Sequence, residues 1–158
     1  MAKPRIYISH PIRGKAGKNF TKKIIEENCK KAVELTKQLA KDFRFVDWYC
    51  PAEHDEIIQI LYQAGKLSEE DILWADCEII KRCDGLLVYA FEGIEHISSG
   101  MRKEMEAAAE LQLPTIGIVK YPDDKPLVQD LAKQAKDRKA LDLILSLINK
   151  EIENEQTN

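Results

Sequence analysis

Short apolar runs alternating with amphipathic stretches predict an α/β fold, a single parallel sheet of four or five strands flanked by helices. Three observations carry this reading. Leu86-Leu87-Val88-Tyr89-Ala90 is apolar without alternation, as expected of a parallel strand covered on both faces. The runs are joined by short connections, with no low-complexity linker or internal repeat. At 158 residues the chain is long enough for one domain with a substantial core.

The first strand is Arg5-Ile6-Tyr7-Ile8-Ser9, rich in β-branched and aromatic residues. Pro11 and Gly14 end it, and residues 15–19 form a polar loop. Apolar residues at helical spacing, among them Ile24, Ile25, Ala32, Leu35 and Leu39, predict a helix from Phe20 to Lys41 with Thr21 near its start. Residues 43–48 read as a second strand and 57–62 as a short helix. Ser68 followed by Glu69, Glu70 and Asp71 is a helix start, with acids placed in the first turn; that helix is expected to run to Arg82. The central strand follows at 85–90, then a helix from about Gly100 to Leu111 and a fourth strand at 114–119. After a loop at 121–126 the remainder is helical, most clearly from Ala140 to Ile152. Residues 1–153 make one Rossmann-like domain in flavodoxin-like order, and residues 154–158 a polar tail expected to fray.

Composition narrows the function. Net charge is −3 and no basic cluster stands apart from acids, so no nucleic-acid partner is expected. The cysteines (29, 50, 77 and 83) lack CxxC spacing, and none pairs with His10, His54 or His96 at ligand spacing, so no metal is expected. Reduced cysteines, no signal peptide and no apolar run long enough for a membrane span point to a soluble, cytoplasmic protein. P-loop and GxGxxG motifs are absent, against a nucleoside triphosphatase or dinucleotide oxidoreductase.

In open α/β sheets ligands bind beyond the carboxyl ends of the strands, near helix N-termini. Three segments are expected to converge there: Ser9-His10-Pro11-Ile12-Arg13-Gly14, the pair Asp76 and Asp84, and Ser98-Ser99-Gly100 leading to Glu104. Glu104, one turn into its helix, is the candidate nucleophile, and Tyr7 is placed to line the pocket wall. Asp84 suits an orienting role at the start of the central strand better than a reacting one. Glu106 is turned away from Glu104 by helical geometry. Trp48 and Trp74 fit the core or an interface.

The segment Ile6-Tyr7-Ile8-Ser9-His10-Pro11-Ile12-Arg13-Gly14 resembles the opening of the nucleoside 2-deoxyribosyltransferase superfamily, which includes the 2′-deoxynucleoside 5′-phosphate N-hydrolases. The resemblance extends to Asp76 with Asp84, and to Ser98, Gly100 and Glu104, in the same order along the chain. It implies attack of Glu104 on the sugar C1′, release of the base with help from Asp76, and a glycosyl-enzyme intermediate. It also implies substrate contacts from Tyr7, Ser9, His10, Ile12, Arg13, Gly14, Asp84, Ser98, Ser99 and Gly100. No metal or organic cofactor is implied, and a homo-oligomer, a dimer or higher, is. The transferases carry Asp where this chain has Ser98; a hydroxyl beside helix N-terminal amides suits a 5′-phosphate, and a carboxylate would repel it. A nucleoside monophosphate N-hydrolase is therefore the leading expectation. A base-exchanging deoxyribosyltransferase and a non-catalytic nucleotide sensor or sequestering protein are the alternatives. His10 departs from the family pattern, which usually has Gly there, and Pro11 stands where the vertebrate-type hydrolases have Ser. Glu106 also departs, standing where Gly is usual.

Overall fold

The computed structural model describes residues 2–158. Four parallel strands, β1 (Arg5–Ser9), β2 (Asp47–Tyr49), β3 (Gly85–Tyr89) and β4 (Thr115–Ile118), form one sheet in the order β2-β1-β3-β4. Five α-helices connect or follow them: α1 (Lys22–Asp42), α2 (Asp55–Gln63), α3 (Glu69–Ile80), α4 (Ser99–Glu110) and α5 (Lys125–Thr157). The α/β class and the flavodoxin-like order are those the sequence predicts, with four strands.

Alternation along the strands divides the core in two. Ile6 and Ile8 of β1 and Leu87 of β3 face α1 and α5, joining Leu35, Leu39, Val128 and Leu131. Tyr7 of β1, with Leu86 and Val88 of β3, faces the other way, joining Ile80 of α3 and Met101 and Ala108 of α4. From β1 the chain moves to β2 on one side, and from β3 to β4 on the other. The topological switch point, where such sheets leave a crevice, therefore lies between the carboxyl ends of β1 and β3.

The helix starts behave as the sequence suggests. Thr21 Oγ1 accepts from the Ile24 N–H at 3.2 Å, and Ser68 and Asp71 form a reciprocal capping box at α3. Two segments differ from expectation. Residues 43–46 turn instead of pairing: the Phe43 N–H closes α1 onto the Leu39 carbonyl, and the Val46 N–H bonds the Phe43 carbonyl. Both side chains are buried, so this apolar run caps the core from a turn, and β2 begins only at Asp47. At the other end α5 continues to Thr157, through the tail expected to fray; no Gly or Pro interrupts it, and the Thr157 hydroxyl donates back to the Glu153 carbonyl.

Candidate active site

The site is built on the α3–α4 face of the sheet, where alternate residues of β1 point. Tyr7 is fully buried and Ser9 nearly so. Tyr7 is in register with Tyr49 on the adjacent β2, so the two rings share a face and stack at 5.7 Å. The Tyr49 ring in turn stacks on His54 at 4.9 Å, extending a file of three rings outward from the strand ends.

Opposite this wall stands α4. Ser98 is its N-cap, its Oγ accepting from the Met101 N–H at 3.2 Å. This fixes the first turn with the unpaired amides of Ser99 and Gly100 at the helix N-terminus, an arrangement suited to an anion. Helical spacing then puts Met101, Glu104 and Ala108 on the buried face. A carboxylate in that stripe is unusual, because an ionised group is costly to bury. Glu104 is nevertheless only 8% exposed. Its Oε2, the Tyr7 hydroxyl and the Ser9 hydroxyl are all buried with no hydrogen-bond partner among the described residues. Three converging orphaned polar atoms have a cost that a folded core normally avoids, and a bound polar ligand would relieve it.

The electrostatics follow from this burial. Removal from water raises the Glu104 pKa to about 8; the negative charge of Asp76 adds to the rise, and the Tyr7 and Ser9 hydroxyls oppose it. Burial also raises Asp76 to about 6, with Asp55 adding and the Tyr7 hydroxyl opposing. The Tyr7 hydroxyl, pushed well above its ordinary value first by burial and then by Glu104, stays protonated and faces both acids. Near neutral pH these shifts favour a single proton on the pair, held mainly by Glu104. Glu104, the more deeply buried of the two, has the higher pKa.

The loop after β1 borders the same end of the sheet. His10 is buried; its Nδ1–H donates to the Pro11 carbonyl at 3.1 Å, and burial lowers its pKa, so it is a neutral, packed imidazole. Asn28 of α1 holds the loop by donating to the Ile12 carbonyl at 2.9 Å, leaving the Ile12 side chain half-exposed. Gly14 has φ +59°, and a Cβ there would collide with the Glu92 carboxylate. Glu92 follows β3 and accepts from the Lys15 N–H at 2.6 Å, so the loops after β1 and β3 are tied across the switch point. Arg13 is paired with Glu69 in the first turn of α3 and lies over the Phe20 ring at 4.5 Å. Its expected substrate contact requires it to exchange Glu69 for a ligand.

Asp84 does not join this group. It precedes β3 and therefore lies at the amino ends of the strands, accepting from the Arg5 N–H at 2.7 Å and from Lys139 at 3.4 Å. Its expected place among the substrate contacts is corrected to a structural one, fixing the start of β1 and β3. A cavity of about 690 Å³ opens at this same end, along Arg5, Asp47, Trp48, Asp84 and Lys139. Arg5 pairs with Asp47 and Lys139 with Asp84 there, and the Trp48 indole N–H is the one buried polar atom of that lining without a hydrogen-bond partner among the described residues, whereas three such atoms converge at Glu104. Glu106 is exposed, as helical geometry requires. Trp48 is buried in the core and Trp74 is 67% exposed. The four cysteines are free, and no group of His, Cys, Asp and Glu among the described residues is arranged to hold a metal ion. None of the helices described is long and apolar enough to cross a membrane.

Tyr49, His54 and Asp55 were not anticipated as site residues. The signal for Tyr49 was its position at the carboxyl end of a strand next to β1, concealed by ending β2 one residue early. Asp55, whose charge acts on both His10 and Asp76, opens a helix expected to begin only at Ile57. No family model, curated protein or solved structure matches the chain.

Proposed function

We propose that the protein is an N-glycosidase that hydrolyses the base–sugar bond of a nucleoside or deoxynucleoside 5′-monophosphate through a covalent glycosyl-Glu104 intermediate, in the manner of the nucleoside 2-deoxyribosyltransferase superfamily its motifs resemble. The observation that carries this reading is the pairing of buried Glu104 with half-buried Asp76 at the switch point. Glu104 has an unsatisfied oxygen, Asp76 acts on it electrostatically, and the unpartnered Tyr7 and Ser9 hydroxyls stand beside it. Two carboxyl groups of unequal pKa supply what glycosyl transfer needs, a nucleophile and a proton donor.

The chemistry balances with one proton in the pair. As positive charge develops at C1′, it favours ionised Glu104, and the proton passes towards Asp76, with the Tyr7 hydroxyl facing both acids as the route. The C1′–N bond breaks while the Glu104 Oε–C1′ bond forms, and the departing base takes the proton from Asp76. Water then attacks C1′; Asp76 accepts its proton, the ester bond breaks, and Glu104 is released as carboxylate. The exposed His54 ring, at the outer end of the Tyr7–Tyr49–His54 file, offers an aromatic face on which a base can stack. The Ser98 hydroxyl and the first amides of α4 suit the 5′-phosphate. A neighbouring subunit of a homo-oligomer, docked on the face carrying exposed Trp74, completes the pocket in this reading.

A singly protonated pair gives a bell-shaped pH dependence. Below about 6 both acids are protonated and no nucleophile remains, whereas above about 8 both are ionised and the base leaves unprotonated. The expected kcat/KM profile of the free enzyme is therefore highest near neutrality and falls on either side; a profile flat from pH 5 to pH 9 would contradict the pairing.

Ser98→Asp retains an effective helix cap but places a carboxylate at the proposed phosphate site. Affinity for a nucleoside monophosphate should fall roughly 10–100-fold while affinity for the corresponding nucleoside is little changed, as read by calorimetric titration. Equal effects on both ligands would remove the phosphate from this position.

The reaction class is tested by chromatography of nucleoside and deoxynucleoside monophosphates incubated with the protein, with and without an added free base. Base release without an acceptor is the expected result. Exchange seen only with nucleosides plus acceptor would make the protein a transferase. Binding without any product would make it a sensor or sequestering protein.

A further inference from the structure

The second half of α5 carries an apolar surface that its own domain leaves uncovered. The helix is 33 residues long, about 50 Å, but its buried residues are Val128, Leu131, Ala132 and Ala135, all in its first third. From residue 141 onward every residue is exposed. In that segment Leu141, Ile144, Leu145, Ile148 and Ile152 are each about half-exposed and recur at three- and four-residue spacing. At 100° per residue they form a stripe about 100° wide, turned roughly 130° from the face packed on the sheet. Leu143 and Leu147, also exposed, widen the apolar surface further. A helix this apolar in water requires a covering.

We infer that this stripe is a dimerisation surface on which a second copy of the chain lays its own α5 antiparallel to the first. Two observations select that occupant and that direction. Along α5, residues 133–139 carry Lys133, Lys136, Arg138 and Lys139 against Asp137, while residues 150–155 at the tip carry Glu151, Glu153 and Glu155 against Lys150. An antiparallel pair centred between Leu145 and Ile148 sets the net-acidic tip of each copy alongside residues 136–143 of the other, with Glu155 across from Arg138, whereas a parallel pair would set the two acidic tips side by side. The same register places Leu141 against Ile152 across the two-fold axis, so the stripe is complementary to itself. Covering the apolar residues on both copies removes roughly 1,000 Å² from water, the scale at which a specific interface becomes stable. The acidic tip disfavours the alternative of lying on an anionic membrane. This interface is separate from the Trp74 face and does not depend on the reaction proposed for the site.

The test is sedimentation equilibrium of the full chain and of two variants, with far-UV circular dichroism confirming that each remains folded. Wild type is expected as an assembly of at least twice the 18.1 kDa chain mass. Leu145→Glu with Ile148→Glu, both at exposed positions, should halve the assembly or raise its dissociation constant at least about a hundredfold. Glu153→Lys with Glu155→Lys should weaken it about tenfold or more at low salt. A monomeric wild type, or an assembly untouched by the Leu145 and Ile148 changes, would overturn the interface. Tip variants with no effect would overturn the antiparallel arrangement. A monomer that co-sediments with phosphatidylglycerol vesicles would reassign the stripe to a membrane surface.

Discussion

Glu104→Gln is expected to lower base release at least roughly 10⁴-fold while leaving nucleotide affinity within a few-fold, because the amide keeps the shape of the side chain but cannot form the ester to C1′. The same change should stabilise the protein. The carboxyl at position 104 has its pKa raised from 4.5 to about 8 on folding, so between those values the folded chain binds a proton that the unfolded chain has released. Stability therefore falls as pH rises from 4.5 towards 8 and stays low above it. Gln removes that titration. The gain in Tm should be largest at and above pH 8, on the order of 5–10 °C, and shrink as the pH approaches 4.5. Differential scanning calorimetry of both proteins across that range reads the trend. A variant that is fully active, or less stable at pH 8 than wild type, would show that this carboxylate is neither the nucleophile nor held at a cost.

Asp76→Asn carries the second large effect. Without the acid the base must leave unprotonated, and kcat/KM for a natural nucleotide should drop about 10²–10⁴-fold. Two further readouts separate loss of proton donation from simple damage to α3. A substrate whose leaving group is nitrophenolate needs no proton, so it should be cleaved by Asp76→Asn at close to the wild-type rate while Glu104→Gln remains inactive on it. The loss of Asp76's charge should also lower the Glu104 pKa, since that charge is the largest contribution after burial. Equal loss on both substrates would assign Asp76 a purely structural role.

The strands β1 and β3 were legible in the sequence because parallel strands buried on both faces need continuous apolar runs, and few other segments offer them. Helix starts at Thr21 and Ser68 were legible because capping is local chemistry. The residues around Phe43 misled because an apolar run that caps a core from a turn has the same composition as a short strand. Within the site, Tyr7, Ser9 and Glu104 come together through strand alternation and helical spacing, both of which can be counted along the chain. Asp84 was misplaced because a residue at the start of a strand was grouped with those at the ends. The proton order within the acid pair was not legible, since it depends on how deeply α4 buries one carboxyl relative to the other. The uncovered stripe on α5 shares this limit. Residues 140–152 read clearly as helix, but only the fold places them beyond their own domain.

The covalent step is tested most directly by mass spectrometry of the protein acid-quenched during turnover of a deoxynucleoside monophosphate. The expected result is a transient adduct of one deoxyribose 5-phosphate unit, carried by the peptide that contains Glu104 and absent from Glu104→Gln. Base release with no adduct at any quench time, or an adduct on a different residue, would contradict the glycosyl-Glu104 intermediate.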